Sequence, residues 1–533
     1  MSINICFSLI YLYSIIFDYI LIGSGPGSLV CASVLSKYGK RCCVLEKHYT
    51  AGGFTHVFRR RGYEWDVGVH YIGDVNRPTT LLFKIFNYIT EGRLKWEDMG
   101  EIYDKVILGD EEFHFVKGSE NFKKEIKKNF SDPEDQKAID KYIDLIYRAS
   151  NASKGYYYEK VLPNFITYFL GNKLRKKYMK FASRTTLEVL QDLTNNKKLI
   201  ALLTAQYGDY GLPPSKSSFA MHAMVAKHYM KGGSYPIGGA GQICASMLPT
   251  IRKGGGEVYT RAGVEQILFK NNRAIGVKME DEKEFFAPVI ISGVGYFNTY
   301  KMIPNRISKK IKWKKNNLKM KRSLSHMSLY IGLKGTTKDL GLKRANYWIY
   351  PDDHDHDLSM SKFLDNPEKE SFALTYISFP SAKDPTWQER YPEKSTIEVI
   401  TFAPYEWFNK WEQKEWKKRG EEYDNLKEKY SQRLLQQLYR VEPQLEGKID
   451  HYELSTPLST SHFVNYDKGE IYGLSHDPTR FKNKFLKPRT NLKNLFLTGQ
   501  DIATAGVSGA LVGGILTAST ILNRNVIKEI VSK

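Results

Sequence analysis

Residues 18–28 read Asp-Tyr-Ile-Leu-Ile-Gly-Ser-Gly-Pro-Gly-Ser, an apolar run that leads directly into a glycine-rich turn. The run predicts a short buried strand, and the residues from Leu29 to Tyr38 predict the helix that follows it. Arg41–Glu46 predicts a second strand that ends in a carboxylate. This order of elements is typical of a dinucleotide-binding βαβ unit.

The residues of the turn each have a physical reason for their type. Gly23 permits a tight turn, and Gly25 lets the backbone approach a pyrophosphate at the start of a helix. Glu46 offers a carboxylate that accepts hydrogen bonds from both hydroxyls of an adenosine ribose. Ser28 occupies the third glycine position, where a small side chain still permits close packing of helix on strand. An ordinary glycine turn would leave Glu46 unexplained, so we predict a dinucleotide site.

Composition indicates a folded globular protein. The chain has 533 residues, of which 42% are hydrophobic and 13% aromatic, and this length suggests about two to four domains. The net charge is +21, with lysine-rich stretches at 117–128, 173–180 and 308–322. Such charge is typical of nucleic-acid binding, of contact with an anionic membrane, or of a lysine-rich solvated surface. Because no nucleic-acid-binding motif accompanies it, we predict no nucleic-acid partner and keep the other two interpretations.

The N-terminus and the cysteines bear on location. Residues 3–17 are apolar but lack a basic start and a small-residue cleavage site, which argues against a cleaved signal. This stretch is also shorter than a bilayer span of about 20 residues, so it lies at a membrane interface or packs on the first strand. The five cysteines fit no disulfide or metal framework and predict buried thiols. We therefore expect a membrane-associated protein on the reducing side of a membrane.

The remaining sequence predicts a discontinuous α/β domain with two insertions. Gly52 and Gly53 would let the backbone pass a second part of the cofactor, and 54–66 alternates like a strand pair. Strand patterns return at 257–293, 327–333, 346–350, 372–379 and 395–402, and a long helix is predicted near 411–440. The predicted boundaries are 15–80, 231–300 and 490–533 for the nucleotide-binding domain, 81–230 for a mainly helical insertion or cap, and 301–489 for an α+β substrate domain.

Two further segments have competing interpretations. Residues 352–357 read Asp-Asp-His-Asp-His-Asp, but the spacing lacks a metal-site pattern, so we favour a polar loop over a metal site. Residues 505–522 are apolar enough to suggest a membrane span. Their four glycines and four hydroxyl residues better suit a helix that packs closely on a cofactor and a sheet, with its N-terminus facing an anion or a ring carbonyl.

Together these segments resemble the FAD-dependent family that contains all-trans-retinol 13,14-reductase, plant and cyanobacterial carotenoid isomerase and bacterial phytoene desaturases. The matching segments are 18–46 with Gly52 and Gly53, 66–73, 235–239, 456–473 and 498–514. The resemblance spans nearly the whole chain, although residues 80–230 match mainly in their helical pattern and composition and not in a motif. It implies an α/β fold with a discontinuous Rossmann-like FAD-binding domain of the glutathione-reductase/amine-oxidase type.

The resemblance also implies a set of FAD contacts. Glu46 would hold the adenosine ribose, and Val264 would contact the adenine through its backbone. Asp501 would bind the ribityl or pyrophosphate region, and the helix from Val507 would face the pyrimidine end of the flavin. NAD(P)H remains open as a separate electron donor. The implied cofactor-binding residues are Gly23, Ser24, Gly25, Pro26, Gly27, Ser28, Glu46, Lys47, Gly52, Gly53, Val264, Gly499, Asp501 and Val507.

For function, the resemblance implies a flavin-dependent oxidoreductase that acts on a lipophilic polyene such as retinol or a carotenoid. Saturation needs a hydride and a proton, whereas isomerisation needs no net redox change. His70 and Tyr71 are the predicted proton donors, and a purely structural histidine is the competing interpretation of His70. The alternatives are a phytoene-desaturase-like or amine-oxidase-like flavoenzyme, and a non-enzymatic prenyl-binding protein like the Rab GDP-dissociation inhibitors.

Overall fold

A five-stranded parallel sheet joins distant parts of the chain. The computed structural model describes residues 17–309 and 320–532, so the predictions for residues 3–16 and Cys6 lie outside the described residues. Each neighbouring pair of strands in this sheet is parallel, and the strand order is Glu257–Tyr259, Cys42–Leu45, Tyr19–Ile22, Val289–Ser292, Leu495–Leu497. The predicted discontinuous Rossmann-like fold is confirmed, since strands from three separate parts of the chain form one sheet.

The first helix, Pro26–Lys37, begins earlier than the predicted Leu29. Proline suits the first helical position because its fixed φ is helical and its missing N–H would have had no partner there. The glycine-rich helix, Gly506–Leu522, lies against the first helix. A Cβ on Gly27 would lie 2.4 Å from the Cα of Gly499, and one on Gly514 would lie 2.5 Å from the carbonyl oxygen of Gly27. These glycines therefore permit backbone-to-backbone packing.

The glycine-rich helix is mostly buried. Most of its residues from Gly509 to Thr520 are buried in the interior of the protein. Within residues 17–309 and 320–532, no helix combines the length and the apolar character that a membrane crossing requires.

The packing of Gly27 gives a stability prediction. Gly27→Ala should lower the free energy of unfolding by about 3 kcal/mol, because its new methyl group meets backbone that has no room to move. Gly171→Ala is the matched control, since a Cβ there meets its nearest atom at an ordinary 3.5 Å inside a helix. It should raise the same free energy by up to about 1 kcal/mol. Urea unfolding of both proteins without cofactor measures this, and equal effects would contradict the packing argument.

A seven-stranded mixed sheet forms the second layer, in the order Ile449–Ser455, His326–Lys334, Lys394–Phe402, Thr375–Ser378, Asn346–Tyr350, Ile102–Leu108, Glu111–Val116. Its last two strands correct the predicted helical insertion at 81–230, because they pair with Asn346–Tyr350 in the region assigned to the substrate domain. Asp104 and Lys105 interrupt the apolar run of Ile102–Leu108, which hid the strand from its sequence pattern. The helices of the insertion are Leu81–Thr90 and those between residues 119 and 229.

Three smaller sheets complete the strands. Val57–Arg60 and Tyr63–Asp66 form the predicted hairpin, which is confirmed. The other two sheets are Val264–Lys270, Arg273–Met279 and Glu284–Phe286, and Ile72–Gly73, Gly233–Pro236 and Trp96–Asp98. Four cysteines, Cys31, Cys42, Cys43 and Cys244, are buried free thiols, as predicted.

The remaining helices connect these sheets. The long helix near 411–440 begins only at Glu421, after Gly420 with φ +91°, so its predicted start was wrong. In the polar loop, Asp355 caps the helix that follows it by accepting from Leu358 N. The α-helices are Leu81–Thr90, Ser119–Lys127, Pro133–Val161, Asn164–Ala182, Thr186–Gln191, Lys197–Leu203, Phe219–Tyr229, Gly241–Ala245, Leu248–Lys253, Tyr296–Lys301, Asn305–Ser308, His356–Asp365, Pro380–Lys383, Trp387–Arg390, Glu421–Val441, Pro457–Val464, Pro478–Lys482 and Val526–Val531. Short 3₁₀ turns are Gly53–Thr55, Ala205–Asp209, Tyr405–Trp407, Asn409–Trp411, Pro443–Leu445 and Gln500–Ile502.

Candidate active site

One large cavity extends from the glycine-rich turn to the seven-stranded sheet. Its volume is about 930 Å³, which lies in the upper range for small-molecule and cofactor sites. Its walls come from both ends of the chain and from the middle, and they include every predicted cofactor residue except Ser28 and Gly52. His70 and Tyr71, the predicted catalytic pair, also line this cavity. The structure thus brings residues separated by more than 400 positions to one site.

Glu46 is held in place at the end of its strand. One carboxylate oxygen accepts from the backbone N–H of Ser24 at 2.8 Å and from its hydroxyl at 2.6 Å. The other oxygen accepts from the N–H of His48 at 2.8 Å. A carboxylate has about four acceptor positions, so Glu46 keeps capacity for a further donor from the cavity it lines.

Gly25 faces open space in the cavity. A Cβ built on it would have no heavy atom beyond its chain neighbours within 4 Å. Its backbone, with φ −59° and ψ 165°, is accessible to any residue, so neither packing nor conformation requires a glycine here. The first helix starts at the next residue without a side-chain cap. The position therefore fits close approach of an anionic group such as a pyrophosphate to a helix N-terminus.

Ser28 and Gly52 lie behind this wall. Ser28 is buried against the sheet, where a Cβ on Gly293 would lie 2.0 Å from the Ser28 hydroxyl. The predicted close packing at the third glycine position is therefore present, and the glycine is Gly293, which directly follows the strand Val289–Ser292. Gly52 donates its N–H to the Ser24 hydroxyl at 3.0 Å and so supports the turn. Both residues therefore support the glycine-rich turn from outside the cavity.

Two further predicted cofactor-binding residues, Val264 and Lys47, line the cavity together with Glu46. Val264 begins a strand and lines the cavity. The Nζ of Lys47 lies 2.7 Å from a carboxylate oxygen of Glu280, and both side chains are about half exposed. This ion pair borders the region beside Glu46 and Val264.

Asp501 ties the C-terminal turn to the first sheet. Its two carboxylate oxygens accept from the N–H of Tyr296 at 2.7 Å and from the N–H of Leu474 at 3.0 Å. It lines the cavity beside Val507, at the start of the glycine-rich helix, which has no side-chain cap. Asp501 thus holds the turn that precedes this helix, and the N-terminus of the helix lines the cavity.

The opposite end of the cavity is aromatic. Tyr71 stacks on Tyr229 with ring centroids 4.1 Å apart. Trp348 and Tyr376 lie 4.5 Å apart and line the same region with Met224. Flat aromatic and thioether surfaces suit an apolar, elongated ligand.

A pair of carboxyl groups lies beside Tyr71. The Tyr71 hydroxyl is 3.0 Å from Asp104 Oδ2 and 3.4 Å from Asp209 Oδ2. Asp104 is fully buried and also accepts from Gln206 at 2.9 Å and from Asn346 at 2.8 Å. Asp209 instead lines the cavity. Burial, and then the charge of Asp104, raise the pKa of Asp209 well above its ordinary value.

His70 belongs to a buried network of a different kind. Its Nδ1 lies 2.7 Å from Glu398 Oε2. Glu398 accepts from Asp66 N at 2.7 Å, and the Lys383 ammonium donates to the His70 carbonyl at 3.0 Å. Burial lowers the pKa of His70 to about 4 and that of Lys383 to about 7, and it raises the pKa of Glu398 to about 8. The His70 ring is therefore neutral near pH 7.

Sequence reasoning identified Tyr71 and missed both of its carboxyl partners. Asp104 lies in a strand that was assigned to the helical insertion, and Asp209 ends a short 3₁₀ turn with no motif around it. Their convergence depends on tertiary packing between chain segments that are far apart in sequence.

Known proteins share parts of this arrangement. Residues 21–89 match the family model described as an NAD(P)-binding Rossmann-like domain. The structure of a putrescine oxidase aligns with a TM-score of 0.62 at 17% sequence identity, and the alignment covers 95% of this chain and 99% of that one. This likeness supports the fold class.

Sequence comparison gives the family. An all-trans-retinol 13,14-reductase from Danio rerio is 38% identical over 95% of this chain and 86% of its own. A Danio rerio relative named an inactive all-trans-retinol 13,14-reductase is 30% identical over the same shares. Prolycopene isomerase from Arabidopsis thaliana is 25% identical over 86% of this chain and 74% of its own. The predicted resemblance is confirmed, and the chain belongs to the all-trans-retinol 13,14-reductase family.

Proposed function

We propose that the cavity binds FAD, with Glu46 and Val264 at its adenosine end, Gly25 at the pyrophosphate and the glycine-rich helix at the ring end. The open space before Gly25 and the walls contributed by both chain ends support this assignment. A site for a nicotinamide cofactor alone would not require the C-terminal elements. When bound, FAD would supply hydride or electron transfer, which amino-acid side chains cannot provide.

The chain is an oxidoreductase of a family that acts on carbon–carbon double bonds, and we propose saturation of one double bond in a lipophilic polyene such as retinol. Saturation adds a hydride to one carbon and a proton to its neighbour. The aromatic end of the cavity would bind the polyene and exclude water from it. The sequence relation to the Danio rerio reductase supports this reaction over the alternatives.

Asp209 is the proposed proton donor. It is the carboxyl group of the Tyr71 pair that faces the cavity, and its raised pKa favours the protonated form that a proton donor needs. Tyr71 acts as a positioning residue, because its hydroxyl contacts both carboxyl groups and its ring is stacked. His70, with a pKa lowered to about 4, is a weaker candidate for this role and suits the structural interpretation.

Redox-neutral isomerisation is the second candidate reaction. It is supported by the 25% identity to a prolycopene isomerase. Isomerisation needs the same cavity but no net transfer of a proton to carbon. The likeness to a putrescine oxidase supports only the fold and not amine oxidation. Desaturation is the reverse of the proposed saturation, because it removes a hydride and a proton from neighbouring carbons.

One experiment separates these reactions. The FAD-loaded protein is incubated anaerobically with retinol and with cis-carotenoids, with and without reductant, and the products are separated by chromatography with mass detection. We expect a product that gains two hydrogen atoms only when reductant is present. An unchanged mass with altered retention would instead establish isomerisation. No change in any polyene would refute the substrate class, and the inactive relative makes this assay essential.

The remaining parts of the proposal concern electron supply and location. NADPH or NADH is the proposed two-electron donor, and anaerobic bleaching of the flavin absorbance on its addition, compared with dithionite, tests it. We also propose peripheral contact with an anionic membrane, which the net charge of +21 supports. The buried free thiols suit the reducing side of that membrane.

A further inference from the structure

An exposed aromatic patch lies at the turn between the helices Pro133–Val161 and Asn164–Ala182. Phe165 is 69% exposed, Tyr168 82% and Phe169 76%. Because residues three and four apart share one face of a helix, these three rings form one continuous surface. We call this surface the aromatic tip, and it comprises Tyr158, Phe165, Tyr168, Phe169 and Leu170.

The aromatic tip sits on a firmly anchored base. Arg175 Nε lies 3.4 Å from Glu159 Oε2, and both side chains are buried. Arg175 also donates to the carbonyl of Asn483 at 3.2 Å, and the buried Lys160 ammonium donates to the carbonyl of Leu486. These contacts fix the two helices on the body of the protein. The rings are therefore held out into solvent by a rigid support.

The helix that carries the three rings has charged residues of one sign only. The helix Asn164–Ala182 carries no acidic residue, and its exposed lysines follow directly after the aromatic rings. They are Lys173, Lys176, Lys177 and Lys180. Aromatic side chains favour the headgroup level of a bilayer, and lysines near it attract anionic lipids. Solvent alone would disfavour so much exposed aromatic area.

The tip is also connected to the cavity. Ser150, on the helix Pro133–Val161, lines the cavity, and at 1.5 Å per residue it lies about 16 Å along the helix from Val161. The residue directly before Tyr158 of the tip is Tyr157, whose hydroxyl lies 3.5 Å from the hydroxyl of Thr504, another cavity residue. A lipid surface in contact with the tip would therefore be close to the cavity.

We propose that the aromatic tip, with the four lysines behind it, docks the protein on an anionic membrane surface and brings the cavity close to the lipid that dissolves its substrate. This inference rests on the proposed function in one respect, since only a lipophilic substrate gives such docking a catalytic benefit.

The test compares two variants of the full chain. Phe165→Ser/Tyr168→Ser/Phe169→Ser removes the rings, and Phe286→Ser removes an aromatic side chain that is 58% exposed elsewhere. Binding to phosphatidylcholine vesicles with and without phosphatidylserine is measured by flotation. The triple variant should lose about tenfold or more in affinity, whereas Phe286→Ser should bind like the wild type. Lys173→Gln/Lys176→Gln/Lys177→Gln should remove the preference for phosphatidylserine.

Two controls keep the inference separate from the proposed function. The triple variant should retain its flavin absorbance and its activity on detergent-dispersed polyene, so loss of vesicle binding alone supports the docking surface. Unchanged vesicle binding by the triple variant would overturn it and transfer the role to another segment, such as residues 1–16. A change from dimer to monomer in sedimentation, with vesicle binding retained, would show that a second copy covers the tip and would also overturn it.

Discussion

Gly25→Val should abolish flavin retention while leaving the fold intact. The two methyl groups would project into the space that we assign to the pyrophosphate, where no protein atom lies within 4 Å of a Cβ. The backbone at φ −59° and ψ 165° accepts a β-branched residue without strain. The measured quantity is the flavin-to-protein absorbance ratio after gel filtration, which should fall by about tenfold or more.

Thermal unfolding of the cofactor-free proteins provides the control for this variant. We expect equal melting temperatures for Gly25→Val and wild type without cofactor, because a Cβ at this position has no heavy atom beyond its chain neighbours within 4 Å. Addition of FAD should raise the melting temperature of the wild type alone, since a ligand that binds only the folded state stabilises it. Full flavin occupancy in Gly25→Val would refute the assignment of Gly25 to the pyrophosphate.

The nucleotide-binding part of the fold was predictable because its signals are local. The apolar run before Gly23 and the carboxylate at Glu46 lie within one βαβ unit, whose geometry constrains the type of each residue. The close packing predicted for the glycine-rich helix is also present, because its glycines permit contact with the backbone of Gly27 and Gly499. In contrast, Ile102–Leu108 was missed because the polar Asp104 and Lys105 disrupt its apolar pattern. Only pairing with a strand from residues 346–350 reveals why that polarity is tolerated.

The same distinction explains the candidate site. The predicted cofactor residues nearly all line the cavity, since backbone motifs determine them. The acid beside Tyr71 could not be predicted, because its function arises from burial and from a second carboxyl group 105 positions earlier in the chain. Asp104 has three donors around it, whereas Asp209 keeps a face toward the cavity. Environment rather than residue type therefore separates the structural carboxyl group from the reactive one.

Asp209→Asn should lower the rate of polyene saturation by about 10²–10⁴-fold, because asparagine keeps the shape and a hydrogen-bond donor but has no acidic proton. Flavin content and melting temperature should match the wild type, since Asp209 lies at the aromatic end of the cavity. Saturation in deuterated water should place one deuterium on the carbon that receives the proton. An unchanged rate in Asp209→Asn would exclude Asp209 as the acid and return the role to Tyr71 or His70.

The pH dependence gives an independent test of the same assignment. The raised pKa of Asp209 means that its acid form persists to a higher pH than that of an ordinary carboxyl group, so the wild-type rate should fall as the pH rises through that raised pKa. Asp209→Asn should lack this alkaline loss. In Tyr71→Phe, Asp209 loses a donor that stabilises its charged form, so the pKa should rise further and the loss should begin at higher pH. If Tyr71 had only a structural role, Tyr71→Phe would lower the rate without shifting the dependence of the rate on pH. A wild-type rate that increases with pH would contradict the assignment of Asp209, because it would show that a deprotonated group performs the rate-limiting step.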